Sequence, residues 1–151
     1  MKLTFEPSAG EAEVVVRGDP GDPEVPRILA ALQTAAVRQG RLLLRKAGTE
    51  REYLLEPEKI DYFSAREGGV LARAGGEDYE TRLRLYELCR ALRPQGFVQI
   101  SKGIVVNVQA VRAVEAEFSG NYTALLRDGK TRLTISRSYM RDFRNYVLEG
   151  K

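Results

Sequence analysis

The sequence predicts a mainly β protein with short helices and an amino-terminal β-β-α extension. Three observations carry that expectation. From Arg41 onward, turn signals recur between short apolar runs, at Ala47-Gly48-Thr49, Pro57, Gly68-Gly69, Gly75-Gly76 and Asp128-Gly129. Such close spacing belongs to antiparallel β modules. Before Arg41, the stretch GDPGDP at 18–23 is a hard break that sets a first segment apart. Only two stretches after Arg41, Leu83–Leu92 and Ser138–Leu148, carry apolar residues at helical spacing.

In chain order, Lys2–Glu6 and Ala12–Arg17 read as strands around the turn PSAGE. Asp22 then offers a helix cap with Pro23 at the first helical position. Val25, Ile28, Leu29, Leu32 and Ala36 follow at helical spacing until Gly40. A unit of that size buries too little surface to stand alone, so it should pack on the rest of the chain or on a second copy. The expected boundaries are therefore 1–40 for the extension and 41–151 for the β domain. In the second part, RLLLRKA and EREYLLE form a hairpin, and Lys59–Ala65, VLARA and EDYETR supply three more strands. In the helix Leu83–Leu92, Leu85, Leu88, Cys89 and Leu92 share one face, which makes Cys89 a small core residue. Pro94 and Gly96 end it. Strands are expected at Phe97–Ser101, Ala110–Phe118, Tyr122–Arg127 and Thr131–Ser136, with Asp128-Gly129 closing the last hairpin. The final helix should turn Tyr139, Phe143, Tyr146 and Val147 inward.

Composition narrows the function classes. The 151 residues are 43% hydrophobic and 30% charged, enough to build a real core. No run of about 18 apolar residues occurs, so no membrane helix is expected. The opening MKLTFEPSAGEAE lacks the apolar region of a signal peptide. One cysteine excludes an internal disulfide framework and fits a reducing cytosol. The absence of histidine removes His-based triads, general bases and metal ligands. Paired carboxylates or a magnesium site stay open in principle, but no spacing argues for either. No phosphate-binding or dinucleotide glycine pattern is present, so neither a cofactor nor a metal is expected.

The charge is uneven. Residues 93–151 hold 10 Lys/Arg against 5 Asp/Glu, a net of +5, while residues 1–40 hold 4 against 6. The last third is the candidate face for a polyanion, with a solvated basic surface as the plain alternative. Three cations stand at strand ends or turns: Arg73 in VLARAGG, Lys102 in ISKG and Arg137 in TISRSY. The run GFVQISKGIVVNV is notable because Lys102 and Gly103 interrupt an apolar stretch. Loop-borne cations are what a β-rich protein needs to reach base edges in a groove.

Taken together, FVQISKGIVVNVQAV and RDGKTRLTISRSY resemble the second half of a LytTR DNA-binding domain. YETRLRLYELCRAL resembles the strand and short helix leading into it, so the resemblance spans 41–148. It implies an elongated stack of small antiparallel sheets whose loops enter successive major grooves of bent DNA. It implies base contacts from Arg73, Lys102 and Arg137, and phosphate contacts from Ser101, Ser136, Ser138 and Arg141. Asn107 matches the motif asparagine and reads as structural, satisfying turn backbone groups. Three motif positions differ: an arginine is replaced by Gln99, a histidine by Ser101 and a serine by Gly103. The first of these removes a phosphate contact. The amino-terminal part resembles the leader of stand-alone LytTR regulators, and 40 residues of β-β-α cannot hold a phosphoacceptor receiver domain. The implied protein is a cytoplasmic, cofactor-free bacterial transcription regulator that binds paired sites on double-stranded DNA as a homodimer. Its control would come from a partner, such as a small membrane protein. The competing class is a β-rich protein-interaction module or anti-regulator without DNA binding.

Overall fold

The computed structural model describes residues 16–19, 21–38 and 41–150. Helix α1 spans Glu24–Arg38 and starts as expected: the Asp22 carboxylate accepts the Glu24 N–H at 2.9 Å, directly after Pro23. Such a side-chain acceptor satisfies one of the four free amides of a first turn. The helix lies against β1 and α2, with Val25, Ile28 and Leu32 half-buried and Leu29 exposed. The expected strand Lys2–Glu6 lies outside the described residues. Of Ala12–Arg17, only Val16 and Arg17 are described, and neither is in a strand.

Ten strands follow in chain order: β1 Leu42–Lys46, β2 Glu52–Leu55, β3 Ile60–Arg66, β4 Gly69–Ala74, β5 Glu77–Thr81, β6 Phe97–Ser101, β7 Ile104–Asn107, β8 Val111–Ala116, β9 Tyr122–Leu126 and β10 Arg132–Ile135. Seven of them form an antiparallel sheet in the order β2-β1-β5-β4-β3-β7-β6, and three form a second sheet in the order β10-β9-β8. Helix α2, Leu85–Leu92, connects β5 to β6, and α3, Arg137–Glu149, closes the chain. The protein is mainly β, with antiparallel sheets and few helices, as its sequence predicts.

The large sheet separates two cores. On one face Leu42, Leu44, Ile60, Phe63, Phe97 and Val105 pack under Leu88 and Leu92 of α2. The rings of Phe63 and Phe97 lie 5.5 Å apart. On the other face Val98, Ile100 and Val106 meet Leu126 and Ile135 of the small sheet and Met140 and Phe143 of α3. This arrangement follows from period two: Val98 and Ile100 serve one core while Phe97 serves the other. Cys89 is half-buried beside the first core, as read from its helix face. Burial pushes its thiol up, and a hydrogen bond from the Gln99 backbone partly opposes that.

Three local expectations are corrected. The strand expected at Phe97–Ser101 is β6, but a further strand that was not expected, β7 at Ile104–Asn107, pairs with it because Lys102 and Gly103 form the turn of a hairpin. The strand expected from Ala110 begins at Val111, after a helical turn at Val108–Ala110. On α3, Met140 is buried whereas Val147 is exposed, since Met140, Phe143 and Tyr146 form the stripe against the small sheet's core and Val147 lies off it.

The β9–β10 turn is held by Asp128. Its carboxylate accepts from the Thr131 hydroxyl at 2.5 Å and from the N–H groups of Thr131 and Lys130, both at 2.8 Å. Those bonds, the Thr131 hydroxyl first, lower its pKa from 3.8 to about 2. A depressed folded-state pKa stabilises the fold above the ordinary carboxylate value and ceases to do so as pH falls toward 2. A carboxyl-carbon NMR titration is expected to give Asp128 a midpoint near 2. An ordinary midpoint would mean that the turn bonds are absent.

Candidate nucleic-acid interface

Antiparallel alternation sorts the turns between two ends of the large sheet. The β3–β4 turn at Glu67-Gly68 and the β6–β7 turn at Lys102-Gly103 share one end, where the Ala65 N–H donates to the Gly103 carbonyl at 2.8 Å. The β4–β5 turn at Gly75-Gly76 lies at the other. Helix α3 starts at the first end, where the Ser136 N–H donates to the Ile100 carbonyl at 2.9 Å. The β8–β9 tip arrives there too, since the Arg137 N–H donates to Asn121 Oδ1 at 3.1 Å.

Lys102 and Arg137 therefore belong to one end of the molecule. Both are exposed, and among the described residues neither side chain makes an ion pair. The Arg137 side chain runs past Gly120, where a Cβ would stand 3.6 Å from its Cδ and Nη1. Ser101 ends β6 and Ser136 caps α3 without a side-chain bond. Ser138 and Arg141 follow, exposed, in the first turns of α3. The six positions Ser101, Lys102, Ser136, Arg137, Ser138 and Arg141 thus form one polar, cationic end. Phe118 stands clear of the surface at the neighbouring β8–β9 tip.

Arg73 is not brought to that end. It sits one residue from the β4 terminus beside the β4–β5 turn, opposite Asp78 in the ladder. Its guanidinium donates to the Asp78 carboxylate at 2.7 Å, and both side chains are partly exposed. The cation that the fold does bring beside the Lys102 turn is Arg66, exposed at the end of β3. The signal for it was present in the sequence as Arg66-Glu67-Gly68-Gly69, a cation at a hairpin turn.

Asn107 is buried at 1% exposure. Its Nδ2 donates to the Ile60 carbonyl at 3.0 Å, and its Oδ1 accepts the Gln109 N–H at 3.0 Å. The structural reading of this residue agrees with its geometry. Gln99 points its amide at the Lys102 turn.

The sequence model of the LytTr DNA-binding domain matches residues 50–147. The chain belongs to the LytTR DNA-binding domain family. That match covers most of the region, 41–148, in which the motifs were recognised. A LytTR DNA-binding domain is a binding module and not an enzyme. The chain is 27% identical over 98 residues to the transcriptional regulatory protein YpdB of Escherichia coli K12, covering 65% of this chain and 40% of that protein. It is 20% identical over 94 residues to the sensory transduction protein LytT of Bacillus subtilis 168, covering 62% and 39%. The chain thus aligns with well under half the length of these curated relatives. A solved LytTr DNA-binding domain of a response regulator from Bacillus cereus superposes with a TM-score of 0.64 at 18% identity, covering 72% of this chain and 96% of that one. At that identity the likeness speaks for the fold. No helix among the described residues is long and apolar enough to cross a membrane.

Proposed function

We propose that this chain is a sequence-specific, DNA-binding bacterial transcription regulator. The observation that carries the proposal is the gathering of Lys102, Arg137, Ser101, Ser136, Ser138 and Arg141 at one end of a LytTR fold. Lys102 and Arg137 are the base-reading residues, offering donors to guanine O6 and N7 in the major groove. The serines and Arg141 take phosphates, helped by the amide-rich start of α3. Arg66, beside the Lys102 turn, joins this surface. Arg73 keeps a contact on the same duplex only by releasing Asp78, which makes it the weakest of the assigned readers.

Residues 41–151 form the DNA-binding unit, and residues 1–40 serve as the contact with a second copy on paired sites. Support for the second point comes from α1, whose Leu29 is 42% exposed beside half-buried Val25, Ile28 and Leu32. The bacterial chromosome places the protein in the cytoplasm, and a regulatory membrane protein is the control partner that the family resemblance suggests.

The deciding experiment is selection of bound duplexes from a random DNA pool, followed by titration of the recovered site at several salt concentrations. A recovered motif that repeats at about one helical turn is expected. So is a log–log salt slope of roughly −3 to −5 per bound copy, as follows from the about four or five cations that each copy brings to the duplex. Recovery of no motif and no affinity at low salt, beside a stable complex with another protein, would instead favour the interaction module.

A further inference from the structure

We infer that Gln99 is a positioning residue that holds the Lys102 turn in the shape DNA needs, a role that rests on the DNA-binding reading above. Gln99 lies in β6 opposite Val105, half-buried on the edge strand. The ladder shifts register between Gln99 and Ser101, so the strand bulges immediately before the turn. A bulge leaves a backbone group unpaired and re-aims the residues after it. The Gln99 side chain fills that place: its Nε2 lies 2.9 Å from the Ser101 carbonyl and 3.4 Å from the Lys102 carbonyl.

Two carbonyl acceptors fix the orientation of the amide, since only the nitrogen end can donate. Both Nε2 hydrogens then point inward. With its donors engaged by the turn, the amide has none left for a phosphate oxygen. The turn is anchored on its other side by the Ala65 N–H bonding to the Gly103 carbonyl. With Gln99, the peptides on both sides of the Lys102 Cα are tied down, and the exposed ammonium projects from a fixed base. Preorganisation of this kind lowers the ordering cost at binding.

A double-mutant cycle in the full chain tests this, using the duplex recovered by selection and its single-base variants. Lys102→Ala is expected to weaken binding and to flatten discrimination at one base position. Gln99→Met keeps the length of the side chain but removes both donors, and is expected to weaken binding about 3- to 10-fold, the size of one or two hydrogen bonds, with selectivity lost at that same position. Gln99→Arg, which can donate to both carbonyls, should restore parental selectivity. In the Lys102→Ala background, Gln99→Met should cost nothing further. Melting curves show which variants are folded. If Gln99→Met unfolds, Gln99→Ser takes its place in the cycle. Independent, multiplicative losses would overturn the inference, as would parental binding by a folded Gln99→Met beside a weakened Lys102→Ala. Parental binding by Lys102→Ala would overturn the DNA role of Lys102 and this inference with it, whereas that role survives if Gln99 alone has no effect.

Discussion

Arg137→Ala is expected to weaken binding to the selected duplex by roughly 5- to 150-fold, the range of 1–3 kcal/mol for a bidentate contact to a base. The backbone of Arg137 is fixed by Asn121 Oδ1 at 3.1 Å, and its side chain is channelled past Gly120. Neither an ion pair among the described residues nor burial competes for the guanidinium. Reaching a base therefore requires little reorganisation. Arg137→Lys keeps the charge but loses the planar fork, so it should recover affinity in low salt without recovering base selectivity. Arg73→Ala should cost less, because its guanidinium already donates to Asp78 and must give up that bond to contact DNA. Fluorescence anisotropy on the parental duplex and its single-base variants separates these cases. Parental affinity and selectivity in Arg137→Ala would remove this residue from the interface. A larger loss at Arg73 than at Arg137 would move the reading edge to the other end of the sheet.

The contrast between Arg73 and Arg66 shows where sequence reading stopped. Element types were legible because each rests on local signals. Gly48, Gly68, Gly75 and Gly129 all adopt positive φ at the turns that their neighbours announced. Leu88 and Leu92 of α2 went to the core as helical spacing required. Lys102 and Arg137 stand out in the sequence because a motif carries them, and the fold brings both to one end of the molecule. Which cations share an end of the molecule depends on sheet order, and β3 pairing with β7 joins segments about forty residues apart. Arg73 pointed correctly to a turn, but to a turn at the other end. Its partner Asp78 was visible five residues away, yet only the β4–β5 register puts the two side chains opposite each other. Gln99 was read as a missing phosphate contact because a linear motif cannot show a side chain turning back on its own hairpin.

Replacing Asn107 by leucine is expected to lower the unfolding free energy by about 2–3 kcal/mol, the cost of leaving a buried polar group unpaired together with a weakened turn. Leucine keeps the heavy-atom count and branching of asparagine but is bulkier, so no cavity forms, and the loss reports unpaired polar groups together with some crowding. The Ile60 carbonyl loses its donor at a residue that is fully buried. The Gln109 N–H loses its acceptor at a residue that can still reach water, which makes it the smaller part. Together these bonds tie the end of β7 to the start of β3 and close the helical turn that leads into β8. They lie at the end of the sheet away from Lys102, because β7 runs from Ile104 beside the turn to Asn107. Urea denaturation should therefore show a lower midpoint with an unchanged slope. DNA affinity measured well below the melting temperature should stay within about twofold, less than half a kcal/mol. Gln109→Ala, which keeps its backbone N–H, should change neither quantity. An Asn107→Leu protein with parental stability and weakened DNA binding would reverse the assignment. Asn107 would then be a DNA contact, and the motif asparagine would have to be read together with Lys102 and Arg137.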